Sequence, residues 1–187
     1  MATSALLMIP AAVDRFGARV HGVPAHRWND PTPCTEWSVS DLVNHLIGEH
    51  LWAPHILARE TIAQVGDRFD GDLTDGDPAK AWDLAAASSL AAFQATDGSG
   101  TVHLSFGEVP LAEYAAQMLV DLTIHQWDLA RGSGQDETLD PEAVAFSLAY
   151  AHANIDTFAG MGIVAPPVPT TSKDPVVQLI SLTGRHF

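Results

Sequence analysis

The stretch VDLTIHQWDLARGSG, residues 120–134, decides the fold. It belongs to a segment that Pro110 can open as a helix and Gly132 can close, along which Met118, Leu122, Ile124 and Leu129 recur at core spacing. At about 100° per residue, Gln117, Asp121, His125 and Asp128 nonetheless fall in one narrow stripe bordered by those apolar residues. Residues four apart on a helix lie about 6 Å apart along its axis and project the same way, so Asp121 and His125 can converge on one point. Such a pair is either a hydrogen-bonded ion pair or two ligands of a metal.

Outward from this helix, Pro, Gly and Asp punctuate a run of further helices. A first is expected over about 3–21, with Leu6, Leu7, Val13, Phe16 and Val20 at helical spacing and Pro10 starting or kinking it. GVPAHRWNDPTPCTEW reads as an irregular connection ending at Ser38, where SVSD offers a serine N-cap with Asp41 three residues on and starts a helix over about 39–62. VGDRFDGDLTDGD, residues 65–77, has too few apolar residues to pack and is expected as an exposed loop. Asp77–Pro78 then opens a helix to about Ala95 that buries Trp82, Ala86, Leu90 and Phe93, and the alternation over Val102–Phe106 marks a short extended or hairpin element. Asp140–Pro141 opens a fifth helix ending near residues 160–162, and QLISLTG adds one last turn after a proline-rich tail. The expected architecture is all-α: a single domain over 1–187, built as an antiparallel four-helix bundle with an additional C-terminal helix.

Composition excludes several classes of function. Nine basic against 23 acidic residues give a net charge of −14, which repels phosphate backbones and anionic lipid, so no nucleic acid and no membrane partner is expected. No apolar run approaches the roughly 20 residues that cross a bilayer, and MATSALLMIPAAVDRF lacks a basic segment followed by a cleavage site, so the chain reads as cytoplasmic. Cys34 is the only cysteine, which leaves any metal to His, Asp or Glu. It precedes a helix N-terminus, but Pro33, Thr35 and Trp37 around it fit a small packed residue better than a nucleophile. No GxSxG elbow supports a serine nucleophile.

A divalent cation on Asp121 and His125 needs a third ligand, which in a bundle comes from a facing helix. His45, in NHLIGEH among Leu42, Leu46, Trp52 and Ile56, is expected to face inward, and the three together would form a two-histidine, one-carboxylate site with open positions. The plainer reading of His45 is a satisfied core or surface histidine. Glu49, one turn on, is a competing fourth ligand, a general base or a surface carboxylate. His50 and His55 point elsewhere on the wheel, and His21, His26, His103, His152 and His186 stand alone in loops or on exposed faces, so all seven are read as non-ligands. Leu111, Tyr114 and Met118 either pack against a partner, as in a homodimer, or fill the core.

PTPCTEWSVSDLVNHLIGEH (31–50), FGEVPLAEYAAQMLVDLTIHQWDLARGSGQD (106–136) and the ending APPVP…LISLTGR resemble the actinobacterial DinB-like family related to the metal-binding N-terminal domain of mycothiol-dependent maleylpyruvate isomerase. The most specific pieces are WSVSDLVNHL and HQWDLARGSG, and order and spacing agree over nearly the whole chain. The resemblance implies a divalent metal, zinc or nickel, held at His45, Asp121 and His125. The isomerase has Glu at the place of Asp121, so a shorter carboxylate is expected to alter affinity or metal choice. His50, Trp127 and Asp128 also fall in matching motifs, Trp127 as packing and Asp128 as an orienting group behind the ligands. The family further implies a low-molecular-weight thiol, mycothiol, ionised at the metal to attack a small electrophilic substrate. The isomerase carries a further C-terminal domain, and this chain ends about 25 residues past its fifth helix, so the implied activity is a thiol S-transferase more than an isomerase. The alternative is a non-catalytic metal-binding bundle acting as a sensor, carrier or dimerising stress protein.

Overall fold

The computed structural model describes residues 4–160, 162 and 164–187. Helix α1 covers Ala5–His21 and runs through Pro10, which neither starts nor ends it. Of the apolar residues that mark it, Leu7 points to solvent and Leu6 is half-buried, while Val13, Phe16 and Val20 are buried together with Ile9. Helix α2, Val39–Leu57, begins at the expected capping box: the Asp41 amide donates to Ser38 Oγ at 3.2 Å and the Ser38 amide to Asp41 Oδ2 at 2.9 Å. It stops five residues earlier than expected. Arg59 takes a left-handed φ of 64°, and a second capping box between Thr61 and Gln64 starts the single turn α3, Ile62–Val65.

The acidic loop that follows is tied to α2 more firmly than its composition suggests. Asn44 donates to the Gly71 carbonyl at 2.9 Å and accepts from the Leu73 amide at 2.7 Å, while Phe69 packs edge-on against Trp52. Asp77 caps α4, Pro78–Ala95, by accepting from the Lys80 amide at 3.1 Å. Trp82, Ala86 and Phe93 are buried as expected, but Leu90 is only half-buried and Ser89 turns inward instead. Strands β1, Thr101–Leu104, and β2, Gly107–Pro110, form the hairpin, with Val102 opposite Val109.

Helix α5, Leu111–Ser133, is longer than expected because Gly132 is not its end. A Cβ at Gly132 would come within 3.0 Å of Thr32 Cγ2 and 3.2 Å of the Pro31 carbonyl, so this glycine permits close packing against the irregular connection. Gly134, at φ +73°, closes the helix, its amide bonding back to the Ala130 and Arg131 carbonyls. Asp140 caps α6, Pro141–Gly160, accepting from the Ala143 amide at 3.0 Å. The same Asp–Pro pair recurs at Asp174–Pro175 and starts α7, Pro175–Leu182, an eight-residue helix where the sequence reading expects a single turn.

Helices α1, α2, α4 and α5 surround the main core, which includes Phe16, Leu42, Leu46, Trp82 and Leu119. Leu111, Tyr114 and Met118 belong to it, so the start of α5 fills the core and does not form a docking face. On its other side α5 packs against α6, and α7 packs on α6, around Val120, Ile124, Trp127, Leu179 and Ile180. Each large side chain so buried contributes about 1.5–3 kcal/mol. Covered on both sides, α5 is buried almost all round from Met118 to Ala130, which is why its polar stripe lies inside the protein. Among the described residues no helix is long and apolar enough to cross a membrane.

Candidate metal centre

Helices α2 and α5 bring His45, Asp121 and His125 together, with one donor atom from each lying within 4.8 Å of the other two. His45 Nε2 is 3.4 Å from Asp121 Oδ2, and His125 Nε2 is 3.3 Å from Asp121 Oδ1. Neither approach makes a hydrogen bond of good geometry, and Asp121 Oδ2 is buried without a hydrogen-bond partner. The carboxylate thus turns one oxygen toward each imidazole nitrogen without a good hydrogen bond to either, an arrangement a shared cation would satisfy.

The rings are held from behind. Trp37, in the irregular connection, lies 4.8 Å from the His45 ring and 5.7 Å from that of His125, centroid to centroid. His125 Nδ1 pairs with Asp128 Oδ2 at 3.0 Å, which turns Nε2 toward Asp121. Asp128 is fully buried and clamped by Arg185, whose Nε lies 3.2 Å from each carboxylate oxygen and whose Nη2 donates to Oδ2 at 2.8 Å. A further Arg185 nitrogen donates to the Thr183 carbonyl at 2.8 Å. Arg185 is the residue the sequence reading missed. It lies 57 positions from Asp128 and follows α7, so no local spacing pointed to it.

Charge follows this geometry. Burial pushes the Asp121 carboxyl up, but His125 and His45 outweigh it and hold the group well below the ordinary carboxylate range. Burial pulls the His125 imidazolium down, yet Asp121 and Asp128 on its two sides raise it to about 9. Burial also favours protonation of Asp128, against which His125 and Arg185 prevail and keep it ionised.

The trio opens on a cavity of about 950 Å³. Trp52, Ile56, Leu104, Met118 and Ile124 give it an apolar wall, and Glu49, Tyr114, Gln117 and Arg185 supply polar groups. None of residues 65–77 lines it, so the acidic loop does not cover the trio. Glu49 lies outside the trio, and burial followed by the Asp121 charge pushes its carboxyl up. Cys34 also lines the cavity, and its thiol could form a second grouping with His125 and Asp128. That grouping is less suited to a cation, because Asp128 Oδ2 is already bonded by His125 and Arg185. Burial pushes the Cys34 thiol up against the pull of Arg185, so it is not an activated nucleophile.

The other histidines stay apart. His50 is buried in the core with Nδ1 2.9 Å from Ser89 Oγ, and burial lowers it to about 4. His55 pairs with Glu60 at 3.2 Å and His21 with Asp83 at 2.9 Å. Neither His26, His103, His152 nor His186 joins a cluster of potential ligands among the described residues.

Fold and site together define a helical protein with an inward two-histidine, one-carboxylate cluster in the wall of a ligand-sized cavity. Residues 9–130 match the family model described as mycothiol maleylpyruvate isomerase N-terminal domain, and the chain belongs to that family. It is 34% identical over 185 residues to an uncharacterized protein of Mycobacterium tuberculosis H37Rv, covering 93% of both chains. The counterpart in strain CDC 1551 matches equally, at 34% over 185 residues. Among solved structures, a mutant of the mycothiol-dependent maleylpyruvate isomerase shares the fold at a TM-score of 0.62 and 14% identity, over 79% of this chain and 68% of that one.

Proposed function

We propose that the protein binds a divalent cation, zinc or nickel, through His45, Asp121 and His125 and uses it to transfer a low-molecular-weight thiol, mycothiol or a relative, to a small electrophile. The observation that supports this most is the Asp121 carboxylate between two imidazoles, one oxygen toward each and Oδ2 without a hydrogen-bond partner, in the wall of a cavity of about 950 Å³. That volume lies in the range of cavities that enclose small organic ligands. Three protein ligands leave a cation with open positions, and such a cation stabilises the anionic form of a thiol.

The chain's own residues supply the rest. Asp128 and Arg185 hold His125 in one orientation, so its Nε2 meets the cation without reorganisation. Glu49 faces the cavity one turn beyond His45, and its raised proton affinity suits it to take the thiol's proton. The apolar wall around Trp52 and Met118 excludes water from a reactive sulfur.

The test is elemental analysis of protein purified without chelator or immobilised nickel, beside His125→Ala, followed by titration of mycothiol into the cobalt-loaded protein. One equivalent of metal, lost in His125→Ala with helicity retained, and a thiolate-to-cobalt absorption band are the expected results. Metal retained by His125→Ala refutes the ligand set, and absence of the band refutes thiol activation.

A further inference from the structure

Tyr114 carries a hydroxyl that the fold does not use. Its side chain is 3% exposed, yet the hydroxyl has no hydrogen-bond partner among the described residues. A hydroxyl buried in this state costs about 1–3 kcal/mol. The packing of the residue needs only the ring, which stacks on Phe93 at a centroid distance of 6.0 Å and an interplanar angle of 17°. Phenylalanine would make that contact without the penalty.

The placement of the residue gives the hydroxyl a role. Tyr114 lines the same cavity as the trio, seven residues before Asp121 on α5, or about 10 Å along the helix axis. Glu49 lines the same cavity from α2. Burial, then the charges of Glu49 and Asp121, keep the phenol protonated, so it is a donor at any working pH. A phenol donor therefore belongs to the cavity wall, two helical turns before Asp121.

We infer that Tyr114 is the specificity-determining residue of this cavity: its hydroxyl donates to a hydroxyl or amide oxygen on the body of a ligand whose sulfur lies at the His45, Asp121 and His125 cluster. The cavity is thus built for a thiol with a polar body and discriminates against an alkyl thiol. The inference rests on the thiol reading given above.

Tyr114→Phe tests it with two probes, mycothiol and propanethiol, the second having no polar body. Each is titrated into cobalt-loaded wild-type and variant protein by following thiolate-to-cobalt absorption, and the melting temperature of both metal-free proteins is measured. The variant is expected to bind mycothiol roughly tenfold more weakly, which corresponds to about 1.4 kcal/mol, and propanethiol as the wild type does. Its metal-free melting temperature is expected to be equal or higher, because a partnerless hydroxyl has been removed. Equal mycothiol affinity in the two proteins overturns the inference and leaves the thiol reading intact. A melting temperature several degrees lower also overturns it, since the hydroxyl would then have a partner within the fold. Failure of either thiol to bind the cobalt-loaded wild type overturns the thiol reading and this role with it.

Discussion

In the metal-free protein the His125 imidazole keeps its proton up to about pH 9, because Asp121 and Asp128 flank it and outweigh burial. A cation at Nε2 needs the lone pair that this proton occupies, whereas Asp121 is already ionised and gives up nothing. With the proposed ligand set, binding near pH 7 is expected to release about one proton from His125. Two units below the pKa roughly one molecule in a hundred is deprotonated, so apparent affinity rises roughly tenfold for each pH unit up to about 9. Zinc titrated calorimetrically into chelator-free protein, in buffers of different ionisation enthalpy, counts the proton, and competition against a chelator measures affinity across the pH range. Asp128→Asn removes one of the two flanking carboxylates, and the proton count at neutral pH is expected to fall. The sign for the metal-free protein is opposite. A folded pKa raised above the ordinary 6.5 stabilises below that value, and the contribution is lost as pH rises through 9. An affinity flat between pH 7 and 8, with no proton released, would refute the reasoning.

Arg185→Met leaves Asp128 charged, fully buried and without its guanidinium, and about 3–5 kcal/mol of stability is expected to go, read by denaturant unfolding. An unchanged midpoint would show that the Arg185 clamp does not form. His50 is lowered to about 4, so the unfolded chain binds the extra proton between there and 6.5. Stability is complete above pH 6.5 and falls by about 3 kcal/mol as pH drops toward 4, and His50→Leu is expected to flatten that slope in acid titrations of unfolding. Gly134→Ala forces a side chain into a left-handed position and against Arg27, with an expected cost of about 1 kcal/mol. A melting temperature equal to the wild type's would argue against that cap.

Local chemistry was legible wherever its partners lie within a few residues. The Ser38–Asp41 box, the Asp–Pro starts at 77 and 140 and the hairpin after Gly100 all depend on neighbours in sequence. The misses have the same origin seen from the other side. Gly132 reads as a helix end by residue type, but its lack of a side chain is used against Thr32 and Pro31, a contact that spacing does not reveal. The end of α2 depended on Arg59 adopting a left-handed φ, which glycine would have announced and arginine does not. Asp174–Pro175 carried the same signal as the other two starts and was obscured by the prolines before it.

The polar stripe of α5 was visible from residues 117–128 alone, because a helix imposes its period on whatever residues occupy it. That period also placed Asp121 and His125 on one side. What spacing leaves open is whether His45 on another helix comes within 3.4 Å of Asp121, and whether Arg185, near the far end of the chain, closes behind Asp128. Those contacts form only when α2, α5 and the segment after α7 pack together. Burial between two cores then turns a stripe that could have been a solvated ion pair into a cluster with an unbonded carboxylate oxygen.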